Sequence, residues 1–193
     1  MIEDLDRTME QLFKRELPPA LAEQVAITFE VPDGQFPPPS VTLPAIDLFL
    51  YDIRENRELR TNEWVVERGD LTVTRTRPPV RVDCSYLISC WASDSAPNPA
   101  QDEHRLLGEV MNILLRHRTL PANVLQGSLQ GQEPALRAAS LHPTLLQSVG
   151  EFWQAMGGKP KACLNYTVTI SVQPFEGQEA PVVVETNSGI PLD

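Results

Sequence analysis

The chain has 193 residues, enough for one domain with a sizeable core, and its 26 acidic against 16 basic residues leave a formal net charge of −10. An acid excess of that size excludes a broad phosphate-binding face, so nucleic acid is not an expected partner. Three cysteines without CxxC or zinc spacing exclude a disulfide framework and a zinc module, and read as reduced thiols.

The opening "MIEDLDRTMEQLFKREL" spaces Ile2, Leu5, Met9, Leu12 and Phe13 at helical intervals, with Glu3, Asp4 and Asp6 at the positive end of the helix dipole and Lys14 and Arg15 at the negative end. This predicts a helix over residues 2–17, closed by Pro18 and Pro19. The segment has neither the basic start nor the apolar run of a signal peptide. "EQVAITFEVP" alternates Val25, Ile27, Phe29 and Val31 with more polar positions, predicting a strand over 25–31 with one wet face. A proline-rich connector leads to "AIDLFLYDIREN". There Ile46, Leu48 and Leu50 lie on one side of an extended chain and Phe49, Tyr51 and Ile53 on the other, so a strand over 45–54 covered on both faces is expected. That strand runs straight into Arg54, Glu55, Asn56, Arg57, Glu58 and Arg60, a run of both charge signs with no apolar stripe.

"TNEWVVE" and "LTVTRT" flank the turn signal Arg68-Gly69-Asp70 and predict a β-hairpin. Its few large apolar residues, Trp64, Val65, Val66, Leu71 and Val73, cover little core, so the hairpin should project. "VRVDCSYLISCW" predicts a second strong strand over 81–91, with Val82, Cys84, Tyr86, Ile88 and Cys90 on one face, and a stripe of Leu106, Leu107, Val110, Met111 and Leu114 predicts a helix over 101–117. Between residues 120 and 143 the chain loosens, with a short strand expected near Val124 and Leu125. "TLLQSVGEFWQAMGG" reads as a short helix ended by Gly157 and Gly158, and "KACLNYTVTISV" as a last sheet strand over 161–172. After Pro174 come Glu176, Glu179, Glu185 and Asp193 without a base, interrupted by the β-prone Val182, Val183 and Val184. The expected organisation is one domain over 1–174 and an acidic tail over 175–193. The fold class is α/β in the α+β sense, a mixed, largely antiparallel sheet with helices packed on it and a projecting hairpin. No stretch approaches the roughly 20 apolar residues of a membrane span.

Catalytic signatures fail on the residue the chemistry needs. "GSLQG" has Leu129 where a nucleophile elbow requires serine, and "GGKP" lacks the upstream glycine and the Ser/Thr of a phosphate loop. His104, His117 and His142 show no ligand spacing; His104 falls beside the helix stripe and reads as structural. Asp102 and Glu103 at a helix start are explained by the dipole. Asp47 and Asp52 lie in a nearly buried strand and need partners, for which Arg54 and Arg81 are the candidates. No catalytic, cofactor-binding or metal-binding residue is therefore assigned, no cofactor is expected, and an enzyme is not the expected reading. By itself the charge run reads as a solvated loop.

Taken in order, the amphipathic first helix, the proline-rich lead into "LPAIDLFLYDIREN", "RTRPPVRVDCSYLISCW", "HRLLGEVMNILL" and "FWQAMGGKPKACLNYTVTISV" resemble the N-terminal domain of the tube-terminator, or cap, proteins of extracellular contractile injection systems of the virulence-cassette and antifeeding-prophage type. The resemblance covers about residues 2–174 and implies a tail-terminator-like fold, kin to phage tail terminators. It implies a structural protein that forms a homohexameric ring, closes the distal end of the inner tube and links it to the sheath. Its partners would be itself, the inner-tube protein, the sheath protein and a sister cap protein, with assembly in the cytoplasm into a phage-tail-like particle that is then released. Two readings stand beside it: an assembly chaperone or adaptor for the same particle, and a small hydrolase or transferase with a pocket under the 120–143 loop. With the resemblance, the interface candidates are Arg54, Glu55, Asn56, Arg57, Glu58, Arg60, Trp64, Arg68, Arg75 and Arg77, together with Val182, Val183 and Val184 as a strand added to a neighbour.

Overall fold

The computed structural model describes residues 1–69, 72–142 and 149–181 of the chain. Its elements run α1 (Ile2–Glu16), α2 (Pro19–Ala22), β1 (Ala26–Thr28), β2 (Ala45–Glu55), β3 (Val65–Arg68), β4 (Thr72–Thr76), β5 (Val80–Trp91), α3 (Pro99–Arg116), a 3-10 turn (Gly127–Leu129), β6 (Arg137–Ser140), α4 (Val149–Ala155), β7 (Cys163–Val172) and β8 (Gln178–Pro181). One sheet has the order β1, β2, β5, β7, β6, with β1 parallel to β2 and the other neighbours antiparallel. A second, antiparallel sheet is formed by β3, β4 and β8. This is the mixed, largely antiparallel α+β architecture that the alternation and the two helical stripes predict.

The long strands bury one set of alternate residues under the two main helices. Cys84, Tyr86, Ile88 and Cys90 of β5 and Leu164, Tyr166, Val168 and Ile170 of β7 share a core with Leu5, Met9, Leu12 and Phe13 of α1 and Leu106, Val110, Ile113 and Leu114 of α3. Burial of each such side chain contributes about 1.5–3 kcal/mol. Burial also pushes the thiols of Cys84 and Cys90 up, to about 11 and about 12, so they stay protonated and unreactive.

Four expectations need correction. The first strand is three residues, not seven, because the chain turns at Val31, whose carbonyl accepts from the Asp33 N–H at 2.8 Å, and Val31 is 47% exposed. The loose 120–143 stretch has its strand at Arg137–Ser140, on the edge of β7, and not near Val124. Val124 and Leu125 instead point into the core from a turn in which the Val124 N–H bonds the Pro121 carbonyl at 3.1 Å, and Leu120, Leu129 and Leu136 are buried with them. His104 is exposed on α3 rather than tucked beneath it.

The third strand-level correction concerns β2. Its pairing with β5 shifts register between Leu50 and Asp52, leaving Tyr51 as an inserted residue. Residues 46, 48 and 50 lie opposite Cys90, Ile88 and Tyr86 on the helix-covered face, but beyond the bulge it is Ile53, opposite Cys84, that takes this face. Ile53 is 48% exposed there, past the reach of the helices, while Asp52 and Arg54 turn to the other face. One inserted residue thus changes a dry strand into a charged one.

Candidate functional site

The second face of the main sheet is polar where the first is apolar. Ser85, Ser89, Thr167, Thr169 and Ser171 are buried on it, and Ser85 Oγ lies 3.0 Å from Thr167 Oγ1. α4 covers one end: Trp153 is 1% exposed and donates its Nε1 to the Lys161 carbonyl at 3.0 Å, and Phe152 packs on Phe49 at 6.1 Å between ring centres. α4 stops in a left-handed turn at Gly157, with Gly158 N–H bonded to the Trp153 carbonyl at 3.1 Å, as the glycine pair predicts.

Within this face Asp47 is fully buried, and among the described residues neither carboxyl oxygen has a hydrogen-bond partner. Burial pushes its pKa up to about 8; the Glu30 backbone offsets a part and the Glu30 charge adds to the rise. Of the expected pairings one forms, Arg54 Nε holding Asp52 at 2.6 Å, while Arg81, 7% exposed, donates to Ser171 Oγ and does not reach Asp47.

At the open end of the strand the candidate residues divide by role. Asn56 is spent on the fold: its N–H bonds the Arg81 carbonyl at 2.8 Å, its Nδ2 donates to both oxygens of Asp83 at 3.2 and 3.0 Å, and its Oδ1 accepts from the Leu59 N–H at 3.0 Å. Asp83 also accepts from Thr169 Oγ1 at 2.6 Å, so Asn56 ties the departing chain to β5 and β7. Glu55 is gripped by Arg60, with Nε donating at 2.7 Å, which holds the Glu55 carboxyl below its ordinary range. Arg57 and Glu58 are exposed, and neither has an ion pair among the described residues.

Beyond them the hairpin forms as predicted and makes an arm. β3 and β4 pair from Val65 opposite Thr76 to Arg68 opposite Val73, and the Gly69 N–H closes on the Thr72 carbonyl at 2.8 Å. Asp70 and Leu71 of the turn lie outside the described residues. Every residue of β3 is exposed, Val65 and Val66 at 45% and 49%. Trp64 is 39% exposed and has the Arg75 and Arg77 guanidinium groups over its ring at 5.4 and 5.6 Å, and Arg77 also faces the Phe175 ring at 5.3 Å. Among the described residues Arg68, Arg75, Arg77 and Arg81 have no carboxylate at ion-pair distance.

Periodicity did not reveal the arm's third strand. β8 pairs with β4, Thr72 opposite Pro181 to Arg75 opposite Gln178. A close approach allows it: a Cβ at Gly177 would lie 2.7 Å from Thr74 Cγ2, so the glycine after Phe175 was the available signal. Val182, Val183 and Val184, expected to pair with a neighbour, lie outside the described residues; the four residues before them pair within their own chain. At the arm's root Glu55, Arg60, Trp64, Arg77, Arg81 and Phe175 line a groove of about 400 Å³. Among the described residues no helix is long and apolar enough to cross a membrane, and no group of three His, Cys, Asp or Glu is placed to hold a metal.

Two solved structures share this fold. A sheath/tube terminator of an extracellular contractile injection system, in its extended state, is 28% identical with a TM-score of 0.71, and a tube-terminating cap of the anti-feeding prophage is 28% identical with a TM-score of 0.70. In both, all of this chain is covered, and it spans 64% of the other chain's length. No curated protein sequence matches. The family profile described as the Pvc16 N-terminal domain matches residues 4–185, almost the whole of the chain, which therefore belongs to that family.

Proposed function

We propose that the chain is a structural terminator of a contractile injection system, a subunit that rings the last layer of the inner tube, stops its growth and ties it to the sheath. The observation that carries this reading is the match over all of the chain to two terminators, the helix-covered sheet and the arm included. The polar network, the charged strand end and the arm supply what such a subunit needs: a rigid frame, and a mixed-charge surface that sets register and rejects wrong partners. A ring requires heterologous contacts, two different patches on each copy. Arg54, Glu55, Arg57, Glu58, Arg60, Trp64, Arg68, Arg75 and Arg77 are the proposed contact residues. The segment Val182, Val183 and Val184 adds to a neighbouring copy, and the subunit acts in assembly without catalysing a reaction.

Removing the chain tests this. Particles from cells lacking it should have inner tubes of variable length or lose their sheath, and particles from the parent should carry a ring of six copies at one end. Normal particles from the deletion strain contradict the reading. Particles that mature normally while the chain is absent from them would assign it instead to a chaperone that leaves after assembly.

A further inference from the structure

Charge is divided between the two ends of the β2–β5 ladder. Residues 54–81 hold seven of the 16 basic residues and five of the 26 acidic ones, so this segment carries +2 and the rest of the chain −12. Among the described residues the one carboxylate lining the groove at the arm's root, Glu55, is held by Arg60, Arg77 is set between Trp64 and Phe175, and the side chain of Arg81 donates to Ser171. Arg137 lies close enough to Arg81 to disfavour its charge, Asp83 favours it, and Glu176 borders the adjoining cleft without an ion pair to Arg77. Arg81, 7% exposed as a residue, lines this groove, and its planar guanidinium fork suits a carboxylate.

The opposite end of the ladder has the complementary groups. Ala45 of β2 pairs there with Trp91 of β5, and the chain goes on through Asp94 to the first turn of α3 with Asp102. Both acids are exposed, and neither has an ion pair among the described residues; Arg105 lies near Asp102, and Lys161, which stands over the Trp91 ring at 4.1 Å, is paired with Glu103. Some 30 Å of strand, at about 3.3 Å per residue, separates the two ends.

We infer that the arm-root groove is a carboxylate-binding site whose occupant is a second copy of this chain, the Asp94 and Asp102 end of one copy seating against Arg77 and Arg81 of the next. The contact is head-to-tail, joining two different patches, and so has the form that closes a ring. This rests on the proposed terminator role and gives that ring its recognition chemistry.

Sedimentation of the full chain over a range of concentration and salt tests it. The parent should self-associate, less so as salt rises. Arg77→Glu should weaken association at least tenfold, and Asp94→Lys with Asp102→Lys should do the same, each with an unchanged melting curve. Combining the three substitutions should restore association, because the charges are then exchanged across the contact. A parent that stays monomeric in low salt, or a combination that does not recover, overturns the inference. Deletion-strain particles that still need the chain for tube length would in that case leave the terminator role standing.

Discussion

The main sheet and the arm are built from similar strand-forming segments and reach opposite states. β5 has eight buried residues in its twelve, and its apolar side lies under two helices, whereas β3 is exposed throughout and, among the described residues, its sheet has no helix upon it. The cause is composition around the strands. Helical stripes such as Leu5, Met9, Leu12 and Phe13 supply a partner face for the sheet, and nothing comparable flanks residues 61–77, where arginines stack on Trp64 instead. The first region makes a folded unit; the second is surface held out on it, and apolar and cationic groups kept in water need a use outside the chain.

Substitutions should expose that division most plainly in stability. Phe13→Ala or Leu48→Ala, each at a fully buried position, should cost about 3–5 and about 2–5 kcal/mol in denaturant unfolding, while Val66→Ser on the arm should change it by about 0.5 kcal/mol or less. Equal losses at the two sites would erase the distinction.

The next effect belongs to Asp47. Its folded pKa of about 8 is above the ordinary aspartate value of 3.8, so the unfolded chain releases this proton first as pH rises. Its contribution is greatest below about pH 4 and is lost as pH climbs to about 8, by up to about 1.4 kcal/mol per pH unit. Stability of Asp47→Asn measured by denaturant at several pH values should be flatter across this window; an unchanged slope would mean that Asp47 is ionised in the folded chain.

Smaller again is the tether between the regions. Asn56→Ala removes three side-chain hydrogen bonds and strips Asp83 of one donor, which should cost about 1–3 kcal/mol. Gly177→Val should act only on the arm, because its side chain would collide with Thr74; faster amide exchange in β4 and β8 with a constant global melting temperature is the expected result.

Sequence alone made the frame legible where one period persists. α1, α3, β5 and β7 begin and end within two residues of their expected limits, since each carries a long unbroken stripe. β6, "RAAS", and β8, "QEAP", have no alternation to read, and their pairing is decided by the free edges of β7 and β4. The bulge at Tyr51 was hidden for a different reason: a strand apolar on both faces reads the same before and after a one-residue shift, so the reversal that exposes Ile53 left no trace in the pattern. The candidate site was legible as a charge run followed by a hairpin. Its internal division, with Asn56 and Glu55 bound into the fold and Arg57, Arg75 and Arg77 free of ion pairs among the described residues, depends on contacts between residues as far apart as Asn56 and Asp83.

One variant puts the central claim, that the sheet folds the chain and the arm assembles it, to the most direct test. Arg57→Glu combined with Arg60→Glu changes two exposed side chains at the root of the arm. Its melting temperature should stay within a few degrees of the parent's, since only the exposed Arg60–Glu55 pair is lost, while particles made with it should lack the terminal ring and the variant should no longer co-purify with the tube. A variant that caps tubes as the parent does would return these arginines to a solvated loop, and one that melts early would place them inside the fold; either contradicts the account.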